Sequence, residues 1–190
     1  MIEASARDKL LAVAIDHIAR HGGAEKSLRA LAAELGTSHR MLIYHFGSKE
    51  GLLTAVAREV EARQRAALAD VRDGQEFWRR LTDDSLRHNE RLFFQLYGQA
   101  LGGTPGTTEL LDGVIEDWLP PLEALLAQLG VPEASRPAQA RLGLAVARGL
   151  LLDLVTTGDR EAVDAAMAEF LALYERTTEE AGRPGVPPRY

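Results

Sequence analysis

Gly36 and Gly47 divide residues 27–48 into helical segments of only about seven residues each. These short segments strongly limit how the chain can fold. Leu28 to Leu35 carries apolar residues at helical spacing and is followed by Gly36, while Ser38 is placed to cap the next helix. Two short helices joined by a turn of about three residues that contains glycine form a helix-turn-helix. The sequence therefore predicts this motif near its N-terminus.

The rest of the chain is also predicted to be helical. Apolar and polar residues nowhere alternate over more than four positions, so no strand is expected. Glycines, prolines and capping residues then set approximate helix limits. The predicted helices are Ser5–His21, Leu28–Leu35, Ser38–His45, Lys49–Arg72, Gln75–Ala100, a short helix ending at Trp118, one from Pro120-Pro121 to Gln128, Ala134–Thr156 and one that Asp159 caps.

These helices predict an all-α protein with two domains and a tail. An N-terminal three-helix head that contains the helix-turn-helix covers residues 1–47, and a C-terminal helical bundle covers residues 48–180. Residues 181–190 are rich in proline and glycine and are expected to form a flexible tail.

Charge is divided unequally between the two ends of the chain. Residues 1–65 contain ten Lys and Arg against eight Asp and Glu, a balance of +2. Residues 66–190 contain twelve against twenty, a balance of -8, so the two parts together give the net charge of -6. A cationic head on an acidic body is compatible with DNA binding, although +2 alone does not require it.

Composition also indicates the compartment. The chain has no cysteine, so neither a disulfide framework nor a cysteine nucleophile is available, which favours a reducing environment. The apolar stretch Leu142 to Val155 is shorter than the roughly 20 residues that span a bilayer. A soluble, cytoplasmic protein without a membrane partner is expected.

The second helix of the motif has an unusual outer face. Leu42 and Phe46 are predicted to point inward, which leaves His39, Arg40 and other large side chains outside. A solvated face would normally carry Glu, Lys or Gln. Arginine can bind guanine O6 and N7 together, and aromatic rings, histidine and methionine can reach phosphates or bases. This helix is therefore predicted to enter the major groove of DNA.

The segment "SLRALAAELGTSHRMLIYHFGSKEGLL" resembles the TetR family of one-component bacterial transcriptional regulators. The shared features are the Ser-Leu-x-x-x-Ala run, the turn glycine, the recognition helix rich in Tyr, His and Phe, and the lysine that opens the fourth helix. The resemblance implies a repressor that binds a palindromic operator as a homodimer. It also implies DNA contacts from Arg29, Thr37, Ser38, His39, Arg40, Met41, Tyr44, His45 and Lys49, with Arg29 and Lys49 holding phosphates beside helix N-termini.

Two departures from the family pattern limit what the resemblance carries over. Ile43 stands where the family often has Tyr, and Arg40 and Met41 stand where it often has small residues, so no relative's operator can be assumed. The capping box is also absent, because Gly51 rather than Glu or Gln follows Ser48 by three positions. The start of the fourth helix is therefore expected to be loosely held.

The last two helices are predicted to form half of an intermolecular four-helix bundle, as they do in TetR-like dimers. Residues 142–155 are apolar on nearly every side, and a helix of this kind must be covered on every side. The alternative is that these residues form the core of a monomer. The predicted interface is Leu142, Val146, Gly149, Leu152, Val163, Met167, Phe170 and Tyr174.

The resemblance further implies a small-molecule effector bound among the middle helices. Its predicted contacts are Trp78, His88, Phe93, Tyr97, Trp118 and Arg148, with Gln95 as a further polar candidate. An aromatic stripe at helical spacing can equally well be core, and His88 can be a solvated histidine.

No set of residues indicates an enzyme, a metal centre or a cofactor. His17 and His21 lie one helical turn apart but lack a third ligand, and Asp112, Glu116 and Asp117 lack a partner nucleophile or base. The sequence therefore predicts a TetR-like, ligand-responsive regulator that is not an enzyme. The alternative is a helical protein- or ligand-binding module with weak or no DNA binding.

Overall fold

The computed structural model describes residues 5–181, with side chains as far as Leu173. In this range the chain is built from α-helices joined by short 3-10 turns, with no strand, which confirms the predicted all-α class. The helices are α1 (Ala6–His21), α2 (Leu28–Glu34), α3 (His39–Phe46), α4 (Lys49–Ala67), α5 (Gly74–Leu81), α6 (Arg87–Leu101), α7 (Leu119–Gln128), α8 (Arg136–Thr157) and α9 (Arg160–Ala181).

The polypeptide forms two compact units. The first comprises the residues up to Arg65 together with Asp83–Val114, and the second comprises Ala66–Thr82 together with the residues from Ile115 onward. The boundaries expected from the sequence, at residues 47/48 and 180/181, stay predictions. The expected tail lies outside the described residues except for Ala181, which ends α9.

The first unit packs α1 against α6 and α2 against α3. Its helix starts follow the sequence, because the hydroxyl oxygens of Ser5, Ser27 and Ser38 each accept a backbone N–H from the following turn. These caps satisfy N–H groups that have no partner inside the helix. The fully buried side chains of this unit include Ile18, Leu31, Leu42, Leu52, Val56, Leu92 and Leu96.

The second unit is held by α7 against α8, α8 against α9, and α5 against α9. The indole Nε1 of Trp78 on α5 donates to Asp164 Oδ1 on α9 across 2.6 Å. Arg160 Nε donates to the other oxygen of the same carboxylate at 2.8 Å. Asp164 therefore joins two polar side chains at the edge of an apolar core.

The helix predicted over residues 75–100 is wrong, because the chain breaks after Leu81. The Thr82 hydroxyl donates back to the carbonyl oxygen of Trp78 at 2.8 Å. The Thr82 carbonyl accepts a hydrogen bond of 2.6 Å from Arg160 Nη1, a residue remote in sequence. Asp83 Oδ1 then accepts the N–H of Ser85 at 2.9 Å and starts a 3-10 turn. Side chains thus form hydrogen bonds with backbone groups that would be paired with each other in a continuous helix.

Two other predicted limits are also wrong. Helix α4 ends at Ala67 rather than Arg72, because Arg80 donates to the carbonyl oxygens of Ala67 and Asp70 at 3.0 and 3.1 Å and stabilises the helix end. The short helix expected before Trp118 is instead two separate 3-10 turns, Thr108–Leu111 and Glu116–Trp118.

No helix in residues 5–181 combines the length and the hydropathy needed to cross a membrane.

Candidate nucleic-acid interface

The turn between α2 and α3 has the geometry of a helix-turn-helix. Gly36 has a φ of 66°, a left-handed conformation that glycine adopts without a Cβ penalty. The N–H of Thr37 donates to the carbonyl oxygen of Ala32 at 2.9 Å and closes the end of α2. Ser38 Oγ accepts the N–H of Met41 at 3.2 Å and opens α3. Ala32 is 3% exposed, which fits a small residue where two helices pack closely.

Helix α3 is buried on one face only. Leu42 is completely buried, whereas Tyr44 is 78% exposed and Met41 40% exposed. His39 and Arg40 are also exposed. Large aromatic and thioether side chains are usually buried in a folded protein. Their exposure on this face indicates that the face binds another molecule.

Three cations stand at the first or second position of α2, α3 and α4. Arg29 on α2 and Arg40 on α3 are exposed, and Lys49 at the start of α4 is half-buried. None of the three forms an ion pair with a carboxylate among the described residues. Lys26 behaves differently, because its Nζ lies 2.8 Å from Glu34 Oε1. Unpaired cations beside a helix N-terminus are suited to bind phosphate.

His45 lies apart from the other predicted DNA contacts. It is half-buried, and its Nε2 is enclosed without a hydrogen-bond partner in the described part of the chain. The residue lines a polar cavity behind α3, together with Arg7, Ser48 and Arg58. The Arg7 guanidinium lies 5.2 Å from the ring centroid of Phe46 in the same region. His45 thus faces the interior of the first unit.

The start of α4 is firmly capped, contrary to the expectation of a loosely held end. Ser48 Oγ accepts the N–H of Gly51 at 2.9 Å, so the serine caps the helix without the second half of a capping box. A Cβ at Gly51 would lie 2.1 Å from the carbonyl oxygen of Phe46. Only glycine lets α4 start this close to the end of α3, which explains why position 51 carries no Glu or Gln.

A loop that the sequence did not connect with the head supports the start of α4. Thr54 Oγ1 donates to the carbonyl oxygen of Gly106 at 2.9 Å, and Arg58 donates to the carbonyl oxygen of Glu109. Gly106 has a φ of 83°, and a Cβ there would lie 3.1 Å from Ser48 Oγ. The sequence shows this segment only as a glycine-rich break after α6. Its spacing does not reveal that the segment packs against α4.

The histidines considered for a metal site have other partners. The rings of His17 and His21 lie 5.0 Å apart, and His17 Nε2 lies 2.7 Å from Glu34 Oε2. Lys26 and, to a lesser extent, His17 hold the pKa of Glu34 below its ordinary value of 4.5. Among the described residues no group of three or more His, Asp and Glu side chains could hold a metal ion.

The residues predicted to bind an effector are divided between the two units. Trp78 and Trp118 are buried in the second unit, whereas His88, Phe93 and Tyr97 belong to the first. His88 Nδ1 lies 3.0 Å from the carbonyl oxygen of Ala19. Gln95 is exposed on α6 and Arg148 is half-buried on α8. The aromatic side chains therefore divide between two cores.

The second unit contains a different cavity, of about 420 Å³. It lies among α5, α7, α8 and α9, and none of the six predicted effector contacts lines it. Its walls were not predicted because they combine residues from four helices whose facing sides sequence spacing does not determine. The residues that line it include Phe77, Leu122, Leu126, Gln139, Gly143, Met167 and Phe170.

The predicted interface residues on α8 and α9 divide into exposed and buried groups. Leu142 and Leu152 on α8 are 51% and 48% exposed, and Gly149 between them is also exposed. Val163 and Met167 are 1% and 5% exposed, so both are core residues of the second unit itself. Val146 and Phe170 are half-buried, and the side chain of Tyr174 lies outside the described residues.

Part of the chain matches a known protein family. The family model described as "Bacterial regulatory proteins, tetR family" matches residues 10–56, which contain α2, α3 and the start of α4. The HTH-type transcriptional regulatory protein RaaS of Mycobacterium tuberculosis is 41% identical over 68 residues. That match covers 34% of this chain and 32% of the relative's own length.

Solved structures share the fold over most of the chain. A transcriptional regulator from Rhodococcus sp. Rha1 has a TM-score of 0.67 at 21% identity, over 86% of this chain and 92% of that one. A TetR transcriptional regulator from Legionella pneumophila has a TM-score of 0.57 at 20% identity, over 90% and 99%. A transcriptional regulator from Saccharomonospora viridis, solved in complex with choline, has a TM-score of 0.62 at 23% identity, over 88% and 95%.

These likenesses agree with the sequence-based expectation. The family is described as bacterial regulatory proteins, and the relative and the structural neighbour are named as transcriptional regulators. The matched residues are those that form the helix-turn-helix, and the structural neighbours share the helical fold beyond it. Residues 10–56 of this protein therefore match the family described as "Bacterial regulatory proteins, tetR family", and the fold of most of the chain resembles that of solved transcriptional regulators.

Proposed function

We propose that this protein is a transcriptional repressor that binds a palindromic operator in double-stranded DNA as a homodimer and is released from it by a small molecule. The observation that carries the proposal is the exposed face of α3 together with three unpaired cations at the starts of α2, α3 and α4. Arg40 can discriminate a guanine through O6 and N7, while Arg29 and Lys49 bind the phosphates on either side. A regulator of this kind works on the chromosome, so we also propose a cytoplasmic location.

The exposed apolar face of α8 supports the homodimer. Leu142 and Leu152 are large apolar residues about half exposed to water, and Gly149 between them lets a second backbone approach closely. On α9, Leu173 is 55% exposed and adds to the apolar surface. Pairing two copies through these helices would form an intermolecular four-helix bundle and cover the face. Two recognition helices could then reach half-sites about 34–36 Å apart or a multiple of that spacing.

The cavity of the second unit supports a small-molecule effector. Its volume of about 420 Å³ lies within the usual range for ligand pockets, and most of its lining is apolar. A structural neighbour binds choline, but at 23% identity that likeness carries the fold to this chain and not the ligand. An effector can release the operator only if it prefers a conformation in which the two recognition helices no longer match the DNA.

Selection of genomic DNA fragments on the purified protein tests the proposal, with Arg40→Ala as the specificity variant and Arg20→Ala as its control. Arg20 is an exposed arginine on α1 that pairs with Asp16 in the same helix. The wild type and Arg20→Ala should enrich the same palindromic sequence, and Arg40→Ala should not. If the wild type enriches no sequence, the protein is instead a helical protein- or ligand-binding module with weak or no DNA binding.

A further inference from the structure

The cavity of the second unit has an apolar wall with very few polar groups. The side chains of Leu122 and Leu126 come from α7, Met167 and Phe170 come from α9, and Phe77 comes from α5. Such a wall favours an apolar ligand, because removal of apolar surface from water stabilises the complex. Methionine and leucine side chains can also adjust to ligands of different outline.

One hydrogen-bond acceptor in this wall is unsatisfied. The Oε1 atom of Gln139 on α8 is buried and has no hydrogen-bond partner in the described part of the chain. Buried polar atoms in folded proteins are nearly always paired, and an unpaired one costs stability. Gln139 lines the cavity, so a rotation of its side chain would present Oε1 to a ligand whose N–H or O–H group supplies the missing partner.

The charges around the cavity oppose an anionic ligand. Among the described residues that line it there is no Lys, Arg or His. Asp73 is the ionisable residue in this described lining, and its Oδ1 accepts the N–H of Glu76 at 2.7 Å as the cap of α5. An anion placed here would lose its hydration without gaining a cationic partner, and a buried charge without a partner is strongly disfavoured.

We propose that the effector is a largely apolar molecule without an anionic group that donates one hydrogen bond to Gln139 Oε1. This inference rests on the proposed function, because it names the ligand class of the cavity proposed there as the effector site. Recognition comes from the apolar body of the ligand, and orientation comes from the single donor. Carboxylates, sulfonates and phosphates of similar size are excluded by charge.

Three fluorescent probes with related ring systems test this class by direct titration of the full chain without DNA. N-phenyl-1-naphthylamine is neutral and has one N–H donor, 1-phenoxynaphthalene replaces that donor with an ether oxygen, and 8-anilinonaphthalene-1-sulfonate adds an anion. The wild type should bind the amine saturably, the ether about fivefold more weakly and the sulfonate at least tenfold more weakly. Equal affinity for the sulfonate and the amine, or no saturable binding of the amine, would overturn the proposal.

A variant at Gln139 tests the hydrogen bond itself. Gln139→Leu should weaken binding of the amine about five- to tenfold and leave binding of the ether unchanged or tighter, whereas a misfolded variant would lose both. Gln128→Leu is the matched control, because Gln128 is exposed at the end of α7 and does not line the cavity. If Gln139→Leu weakens the amine and the ether equally, the predicted donor contact is wrong.

A second pair of variants locates the probe. Gly143 lines the cavity and a Cβ there meets nothing within 4 Å, so Gly143→Leu should fill the space without a clash and abolish binding of the amine. Ala124→Leu adds the same side chain on the exposed side of α7 and should leave binding unchanged. Survival of binding in Gly143→Leu would overturn the proposal, because the probe would then lie elsewhere.

The ligand class and the proposed function can fail separately. Binding of the amine that depends on Gln139, without release of operator DNA, would support the ligand class and contradict release by an effector in this cavity. Release of operator DNA by the anionic probe, with no effect of Gly143→Leu, would contradict the ligand class and leave regulation by a small molecule intact.

Discussion

The hydroxyl of Thr54, in the second turn of α4, donates a hydrogen bond of 2.9 Å to the carbonyl oxygen of Gly106 in the loop after α6. Thr54 is 2% exposed, so the donor side of this bond is buried. It fixes the loop against the helix that carries Lys49, and a Cβ at Gly106 would lie only 3.2 Å from the Cβ of Glu50. The position of α4, which follows the recognition helix α3, therefore depends on a contact with a residue that is remote in sequence.

Thr54→Val should lower the free energy of unfolding by about 1 kcal/mol, because the hydrogen bond from the buried side chain of Thr54 to the carbonyl oxygen of Gly106 is lost. Gly106→Ala should cost about 1–2 kcal/mol, since it places a side chain in a left-handed backbone conformation. Urea denaturation measures both changes, with the exposed Thr108→Val as the control. Wild-type stability in both test variants would mean that the loop does not hold α4.

Ala32→Leu should destabilise the head by about 1–3 kcal/mol, because Ala32 is 3% exposed and a larger side chain overpacks the contact between α2 and α3. DNA affinity should fall in the same variant, since the two helices would be pushed apart. Its neighbour Ala33 is exposed on the same helix, and Ala33→Leu should change neither property. Urea denaturation and DNA titration of both variants measure the two properties. Equal stability and equal DNA affinity of Ala32→Leu and Ala33→Leu would rule out close packing at position 32.

The ion pair between Lys26 and Glu34 predicts a pH dependence of stability. Lys26 holds the pKa of Glu34 below its ordinary value of 4.5, so folding favours the ionised form. The stabilising contribution is therefore present above pH 4.5 and is lost as the pH falls through the lower pKa of the folded state.

The wild type should accordingly be more stable than Glu34→Gln near pH 7, and the difference should shrink as the pH is lowered below 4.5. Thermal unfolding of both proteins across this range measures the effect. Glu25→Gln, at an exposed position in the same region, provides the comparison. A difference between wild type and Glu34→Gln that stays constant with pH would show that the ion pair does not contribute through ionisation.

Leu142→Glu should convert the proposed dimer to a monomer at micromolar concentrations, with the dissociation constant raised at least about tenfold, because a carboxylate would be buried in an apolar interface. Light scattering coupled to gel filtration measures the mass. Ala124→Glu, on the exposed side of α7, should leave the mass of the wild type unchanged. A monomeric wild type would refute the proposed homodimer.

The head could be predicted from sequence because its determinants are local. Gly36 ends α2 through its own backbone conformation, and Ser27 and Ser38 cap the helices that immediately follow them. The exposed positions on α3 follow from helical spacing once Leu42 is assigned to the core. His45 departed from that pattern, because neighbouring helices enclose its Nε2, which spacing within one helix cannot reveal.

The second unit was harder to predict because remote residues decide its structure. The break after Leu81 depends on Arg160, which pairs with the carbonyl of Thr82 from the start of α9. Trp78 was predicted to contact an effector, and its indole N–H donates to Asp164 on α9, a partner that spacing within α5 does not reveal. Gln139 was not predicted to matter, because its unsatisfied oxygen becomes evident only when four helices surround it.

DNA affinity as a function of salt, measured by fluorescence anisotropy on the selected operator and on a random duplex, tests the central claim most directly. For the wild type, the logarithm of the association constant should fall steeply and linearly with the logarithm of salt concentration. Arg40→Ala should lose about 1–3 kcal/mol per half-site on the operator and little on random DNA, while Lys49→Ala should weaken both and reduce the salt slope by about one per subunit. Salt-insensitive binding, or an Arg40→Ala protein that matches the wild type and Arg20→Ala on both duplexes, would contradict DNA recognition by α3.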